Sequence, residues 1–340
     1  MMRVLLVKTS SMGDVIHTLP ALTDAGNAHP EIQFDWLIEE SFVDIPRWHP
    51  TVNDIIPVAL RRWRKNILSK QTNSEWKQLR HLLREKNYDL ILDAQGLIKS
   101  AFLTWLAKGK RAGLHFKSAR ESLASLFYHH RYQLNETDHA VWRMRSLFSQ
   151  ALGYQLPKTP ADFGFHREQF PKQAELAEPY VVFLHATTWT SKLWPEPYWV
   201  ALMKRVIQQG YRVKIGGGNH TEIERAKRIA GDCDAVDLVP RLSIAEMAAL
   251  LAHARAAVAV DTGFGHLSAA LTTPTISIYG STDPSFTGAI GKQSIHLAAS
   301  FPCSPCFART CTYKQTSIVK PACYETVGPD RVWEALKIFL

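Results

Sequence analysis

The sequence predicts an α/β protein made of two Rossmann-like parallel-sheet lobes facing a central cleft. Three observations predict it. Short apolar runs alternate with segments long enough for a helix from the first residues onward. That alternation lapses between Leu156 and Glu178, where "LPKTPADFGFHREQFPKQAELAE" carries three prolines and no period. A chain of 340 residues is also long enough for about two cores of ordinary size. The expected division is a first lobe over 1–160, a connection over about 161–177 and a second lobe over 178–327.

In the first lobe "RVLLVK", "FDWLIEE" and "YDLILDAQG" read as strands, each followed by a helix-length segment. In the second, "YVVFLHA", "YRVKIGGG", "AVDLV", "AAVAVDTG" and "PTISIYG" repeat the pattern around the helical stretches "TEIERAKRIA" and "SIAEMAALLAHAR". Runs this apolar suit strands covered on both faces, as in parallel sheets. A final helix is expected over 328–340, with Pro329 in its first turn and Val332, Leu336 and Phe339 on one face. Its apolar stripe is available to pack back on the first lobe.

Apolar residues at 46% against 21% charged are the balance of a soluble globular chain, which excludes a disordered or membrane-spanning one. The early "VLLV" is short and bounded by Arg3 and Lys8, so it is neither a signal peptide nor a span, and a cytosolic monomer is expected. The net charge of +9 draws anionic partners: nucleic acid, phosphorylated metabolites or an anionic membrane face. No zinc-finger spacing, aromatic-studded basic sheet motif or basic heptad helix accompanies it, so nucleic acid is not expected.

Ligands of open parallel sheets collect beyond the carboxyl ends of the strands, so the loops there carry the candidates. In "KTSSMGDVIHTLP", Gly13 permits a tight turn, and Asp14 beside Ser10 and Ser11 suits a helix cap and a catalytic carboxylate equally. In "AVAVDTGFGHLSAA", Asp261 ends a strand, and Thr262, Gly263, Gly265 and His266 open a helix whose free N–H groups suit a diphosphate. In "FLHATTWTSKLWP", the hydroxyls of Thr187 and Thr188 and the ammonium of Lys192 can neutralise a leaving diphosphate without a metal. Glu222, in "KIGGGNHTEIERAK", either grips ribose hydroxyls or sits in the first turn of a helix. Neither glycine cluster matches G-x-G-x-x-G in its strand-turn-helix setting, which argues against a dehydrogenase.

The densest positive run, "LRRWRKN", sets Arg61, Arg62, Arg64 and Lys65 around Trp63 and suits a polyanionic acceptor, a solvated face or a membrane-surface patch. Lys99 in "QGLIKS" and Arg120 in "SARES" would extend it. Cys303, Cys306, Cys311 and Cys323 form C-x2-C-x4-C-x11-C in a cysteine-rich segment over 303–323, open to structural zinc, free thiols, disulfides or an iron–sulfur cluster. No catalytic metal motif is found.

Together, "VKTSSMGDVIHTLPALTDA", "RRWRK", "DAQGLIKSA", "FLHATT" with Lys192, "VDTGFGHLSAAL" and "YGSTDP" resemble the lipopolysaccharide heptosyltransferases, glycosyltransferase family 9, and most closely its type I branch. The resemblance implies a GT-B fold and metal-independent, inverting transfer of L-glycero-D-manno-heptose from ADP-heptose to the Kdo of the lipid A inner core. It implies lipopolysaccharide biosynthesis at the cytoplasmic face of the inner membrane, with peripheral contact to its anionic surface. It makes Asp14 the general base and sets Thr187, Thr188, Lys192, Glu222, Leu242, Asp261, Thr262, Gly263 and His266 against the donor, with Lys192 also catalytic. The acceptor would meet Ser10, Ser11, Gly13, Arg61, Arg62, Arg64, Lys65, Lys99 and Arg120. The rival expectations are heptosyltransferase II and a non-catalytic nucleotide- or polyanion-binding protein.

Overall fold

Parallel strands form two separate sheets in the computed structural model, which describes residues 2–171 and 178–340. The chain divides into two units, Met1–Phe165 and His166–Leu340. Part of the expected connection, residues 172–177, lies outside the described residues.

The first unit runs β1 (Met2–Val7), α1 (Met12–Ala28), β2 (Ile32–Glu39), α2 (Asp44–Arg47), β3 (Val52–Val58), α3 (Leu60–Lys65) and α4 (Lys70–Glu85). It continues through β4 (Asn87–Asp93), α5 (Ile98–Leu106), β5 (Lys108–Leu114), β6 (His130–Tyr132) and α6 (Ala140–Leu152). The strand order is β3-β2-β1-β4-β5-β6, parallel throughout. Central β1 is buried from Val4 to Val7 because helices cover both faces, and Leu5 and Val7 pack with Leu37, Leu79, Leu83 and Leu103. Helices α1 and α6 pack together around a buried bidentate pair, with Arg145 Nε 2.5 Å and Nη2 3.0 Å from the Asp24 carboxylate.

The second unit runs β7 (Tyr180–Leu184), α7 (Glu196–Gln208), β8 (Arg212–Gly216), α8 (His220–Ala230), β9 (Val236–Val239) and α9 (Ile244–His253). It ends with β10 (Ala256–Val260), α10 (Gly263–Ala270), β11 (Thr275–Tyr279), α11 (Pro284–Thr287), β12 (Ser294–Ala298) and α12 (Pro329–Leu336). Its order is β12-β11-β10-β7-β8-β9, again all parallel. Trp194 and Trp199 meet edge to face at 5.1 Å in its core, and Trp194 donates its indole N–H to Val327 O at 2.7 Å. Val332 and Leu336 of α12 are fully buried in this same core. The closing helix therefore sets its apolar face into the second unit, against α7 and β11.

Among the described residues no helix is long and apolar enough to cross a membrane.

Candidate active site

Because each sheet is all parallel, the loops after its strands emerge along one edge, and the sequence candidates stand on those two edges. In the second unit the centre is Asp261, which directly follows β10 and is 7% exposed. Lys192 Nζ, from the turn after β7, lies 2.7 Å from Asp261 Oδ2. Thr282, after β11, donates its hydroxyl to the same oxygen at 2.7 Å. His266 Nε2 stands 3.7 Å from Oδ1, and Thr187 Oγ1 donates to the Asp261 carbonyl at 3.1 Å. Burial alone would raise the Asp261 carboxyl, but the neighbouring His266 ring and the Lys192 ammonium outweigh it and hold it well below the usual carboxylate range. Lys192 also lies 4.4 Å from the centre of the Trp189 ring, so carboxylate and aromatic face fix the ammonium together.

Thr262 is the N-cap of α10 and has no side-chain capping bond, so its hydroxyl and the first N–H groups of the helix stay available. Gly265 fits because a Cβ there would stand 3.0 Å from the Ala259 Cβ, where helix meets strand. Along the same edge β8 leads to Glu222 and β9 to Leu242. Glu222 lies in the first turn of α8 and accepts the Gly218 N–H at 2.8 Å, while Asn219 caps the helix. Leu242 is half-buried just before the N-cap Ser243 of α9, and Thr188 is exposed. The order β11-β10-β7-β8-β9 thus sets Thr282, Asp261 with Thr262, Lys192, Glu222 and Leu242 on successive strand ends.

In the first unit Asp14 is the third residue of α1. Its Oδ2 accepts both the Ser11 N–H at 2.9 Å and the Ser11 hydroxyl at 2.6 Å, closing a capping box. Burial opposes its ionisation, but the nearby Lys8 ammonium, the two Ser11 bonds and His17 lower its pKa overall. Capping occupies Oδ2. Lys8, which sequence reasoning passed over as a strand terminator, is buried and donates to Ala94 O at 3.0 Å. Gln95 was missed as well. Its Oε1 accepts the Thr9 and Ser10 N–H groups, each at 3.1 Å, and so holds the loop that carries Ser10, Ser11 and Gly13. Gln95 is fixed in turn by buried Asp93, whose Oδ1 accepts the N–H groups of Gln95 and Gly96 at 2.7 and 3.2 Å. "DAQG" was the available signal, since it follows the strand beside β1.

The basic run divides. Arg62 is paired on both sides within the unit, to Glu40 at 3.1 Å and Glu75 at 3.0 Å. Arg61 lies 5.5 Å over the Phe42 ring. Arg64, Lys65, Lys99 and Arg120 are exposed, and Arg120 sits beside the Gly96 turn, close enough to bear electrostatically on Lys8.

Cys303 and Cys306 are exposed, Cys311 is half-buried, Cys323 is buried, and all four are free thiols. Among the described residues no three His, Cys, Asp or Glu side chains are grouped closely enough to hold a metal ion. Burial, followed by the neighbouring thiols, pushes the Cys323 thiol up to about 12. Hydrogen bonds secure the segment instead: Ser191 Oγ to Ala308 O at 2.6 Å, and Phe307 N–H to Ser281 O at 2.7 Å. A cavity of about 530 Å³ lined by Tyr180, Arg255, Pro274 and Gln293 lies at the opposite edge, where the strands begin, and so apart from these groups.

The fold of this chain is shared with solved structures. The E. coli heptosyltransferase WaaC with ADP is 48% identical, covers 88% of this chain and 93% of its own, and superposes with a TM-score of 0.83. The same enzyme with ADP-2-deoxy-2-fluoro heptose is 42% identical over the whole of both chains, with a TM-score of 0.85. The fold is GT-B, and the protein is a glycosyltransferase. The model of "Glycosyltransferase family 9 (heptosyltransferase)" matches residues 76–317, and Lipopolysaccharide heptosyltransferase 1 of Pseudomonas aeruginosa is 52% identical over 100% of this chain and 98% of its own length. This chain belongs to glycosyltransferase family 9. Lipopolysaccharide heptosyltransferase 2 of Escherichia coli K12 is more distant, 24% identical over 86% of the chain and 87% of its own length.

Proposed function

We propose that this chain transfers L-glycero-D-manno-heptose from ADP-heptose to a Kdo residue of the lipid A inner core, with inversion, at the cytoplasmic face of the inner membrane. The observation that carries the reading is the Lys192–Asp261–Thr282 cluster beside the open start of α10, in a chain whose nearer relatives bear the type 1 name. The 52% against 24% identity favours type I over type II.

In this reading the second unit holds the donor. Lys192, Thr187, Thr188, His266 and the Thr262–Gly263 N–H groups take the diphosphate, and Glu222 and Leu242 take the ribose and adenine. The first unit holds the acceptor through Ser10, Gly13, Arg64, Lys65, Lys99 and Arg120. The acceptor hydroxyl oxygen forms a bond to the anomeric carbon as the bond from that carbon to the diphosphate oxygen breaks. The hydroxyl proton passes to Asp14, which is ionised at neutral pH because its pKa is lowered, and ADP leaves with the bonding pair. Lys192 and the α10 start offset the charge that develops on ADP.

The test is ADP release with Kdo-lipid A, Kdo-phosphate-lipid A, Kdo2-lipid A and an acceptor that already carries one heptose. Release with a Kdo acceptor is expected. Release only with the heptosylated acceptor would assign type II, and nucleotide binding without release from any of them would assign a binding protein.

A further inference from the structure

One stretch of the first unit, Leu97 to Tyr132, is both rich in exposed apolar side chains and strongly basic. On α5, Ile98, Phe102 and Trp105 recur at helical spacing and are 41%, 40% and 59% exposed. The 3-10 turn Ser122–Phe127 packs on α5 through Ala124 and Ala101, and it exposes Leu123 at 58% and Leu126 at 69%. Five large apolar side chains on two packed elements form a patch, where scattered single ones would call for no explanation. From Leu97 to Tyr132 the chain has seven Lys and Arg against one acid, Glu121, a net of +6 out of +9 for the whole protein. Of these, Lys99, Lys108, Lys110, Lys117, Arg120 and Arg131 are exposed.

A line of aromatic rings joins the α5 face to the basic helix α3 by way of buried Trp63. Trp63 of α3 meets Trp76 of α4 at 4.9 Å, Trp76 meets Phe102 at 6.3 Å, and Phe102 meets Trp105 at 6.2 Å. This line of rings runs from the Arg61–Lys65 cluster to the exposed α5 face.

We infer that the α5 face and the Ser122–Phe127 turn are the surface by which this protein lies on an anionic lipid bilayer. The occupant follows from the chemistry. Exposed Trp, Phe and Leu suit the boundary between headgroups and acyl chains, and each neighbouring Lys or Arg adds attraction to anionic headgroups. A partner protein surface would have to be strongly acidic around an apolar centre, whereas an anionic bilayer supplies that arrangement over any area. The inference deepens the proposed reading, on which the acceptor is a lipid, by naming the side of the molecule from which that lipid is reached.

The full chain is sedimented, without substrates, with vesicles of phosphatidylcholine plus phosphatidylglycerol and with vesicles of phosphatidylcholine alone. It is expected to bind the former and not the latter. Trp105→Ser combined with Leu126→Ser should lower partition about tenfold. Because both side chains are exposed, melting temperature and ADP release with a de-acylated, water-soluble Kdo acceptor should stay as in wild type. Leu123→Ser should lower partition in the same direction, and Ile318→Ser, 90% exposed in the second unit, should not change it. Unchanged partition of the Trp105/Leu126 variant, or equal binding to both vesicle types, overturns the inference. So does a wild-type dimer that these substitutions dissolve without affecting vesicle binding, which would assign the face to a second copy. Normal vesicle behaviour with no ADP release from any acceptor would sink the activity reading while supporting the surface.

Discussion

The carboxyl edges of the two sheets are built differently. On the second, the charges satisfy one another: Lys192, Thr282 and His266 converge on one carboxylate that is 7% exposed. On the first, the loop backbone is tied down by Gln95 and Asp14, while Arg64, Lys65, Lys99 and Arg120 stand in solvent. A nucleotide diphosphate is a small, constant ligand that a pre-set cluster can match. A large polyanionic acceptor is better met by separate cations that it orders on binding, at a cost in side-chain entropy.

The largest effect that sharpens this contrast is at Asp14. Asp14→Ala should slow heptose transfer by about 10²–10⁴-fold with little change in KM for the donor, measured as ADP release. Asp14→Asn keeps an acceptor for the Ser11 cap and should retain stability while staying slow. If both variants lose stability and neither loses rate, capping is the residue's whole role.

Lys192→Ala should lower turnover by about 10²–10³-fold, because the charge on leaving ADP loses its partner. It also leaves Asp261 without its ammonium, so a loss of stability in denaturant melts is expected alongside. A change in stability alone, with turnover intact, would make the cluster a structural device.

The two units can also be compared by pH. Burial lowers His49 in the first unit and His185 in the second, each from 6.5 to about 4. The unfolded chain then binds protons that the folded chain refuses, so stability falls as pH drops from 6.5 toward 4, by about 2 kcal/mol for each histidine near about pH 4.5. Asp14 and Asp261 stay ionised in this window because both are lowered, and they contribute no change there. Denaturant midpoints for His49→Gln and His185→Gln should each flatten that dependence; unchanged slopes would contradict the burial argument.

The smallest expected effect separates neighbours in the basic run. Arg64→Ala should raise KM for the acceptor several-fold, whereas Arg62→Ala, whose partners are Glu40 and Glu75, should leave it nearly unchanged and shift stability only slightly. Equal effects on KM would place Arg62 among the acceptor groups after all.

Much of this molecule was legible in its sequence because the relevant physics is local. The apolar runs specify covered parallel strands, and the glycines and hydroxyls after "AVAVD" and "VKTSS" mark strand-end loops wherever those strands lie. Asp14, Lys192 and Asp261 could therefore be picked out singly. Their partners could not. Gln95 reaches Thr9 across 86 positions, Arg62 is claimed by Glu40 and Glu75, and Val332 and Leu336 are buried in the second core.

The alternation of strand and helix and the residue types at each strand end are written in the chain, since period and turn chemistry act over a few neighbours. Which strand ends adjoin is not. The orders β3-β2-β1-β4-β5-β6 and β12-β11-β10-β7-β8-β9 are set by packing between distant segments, and they bring Lys192 within 2.7 Å of Asp261.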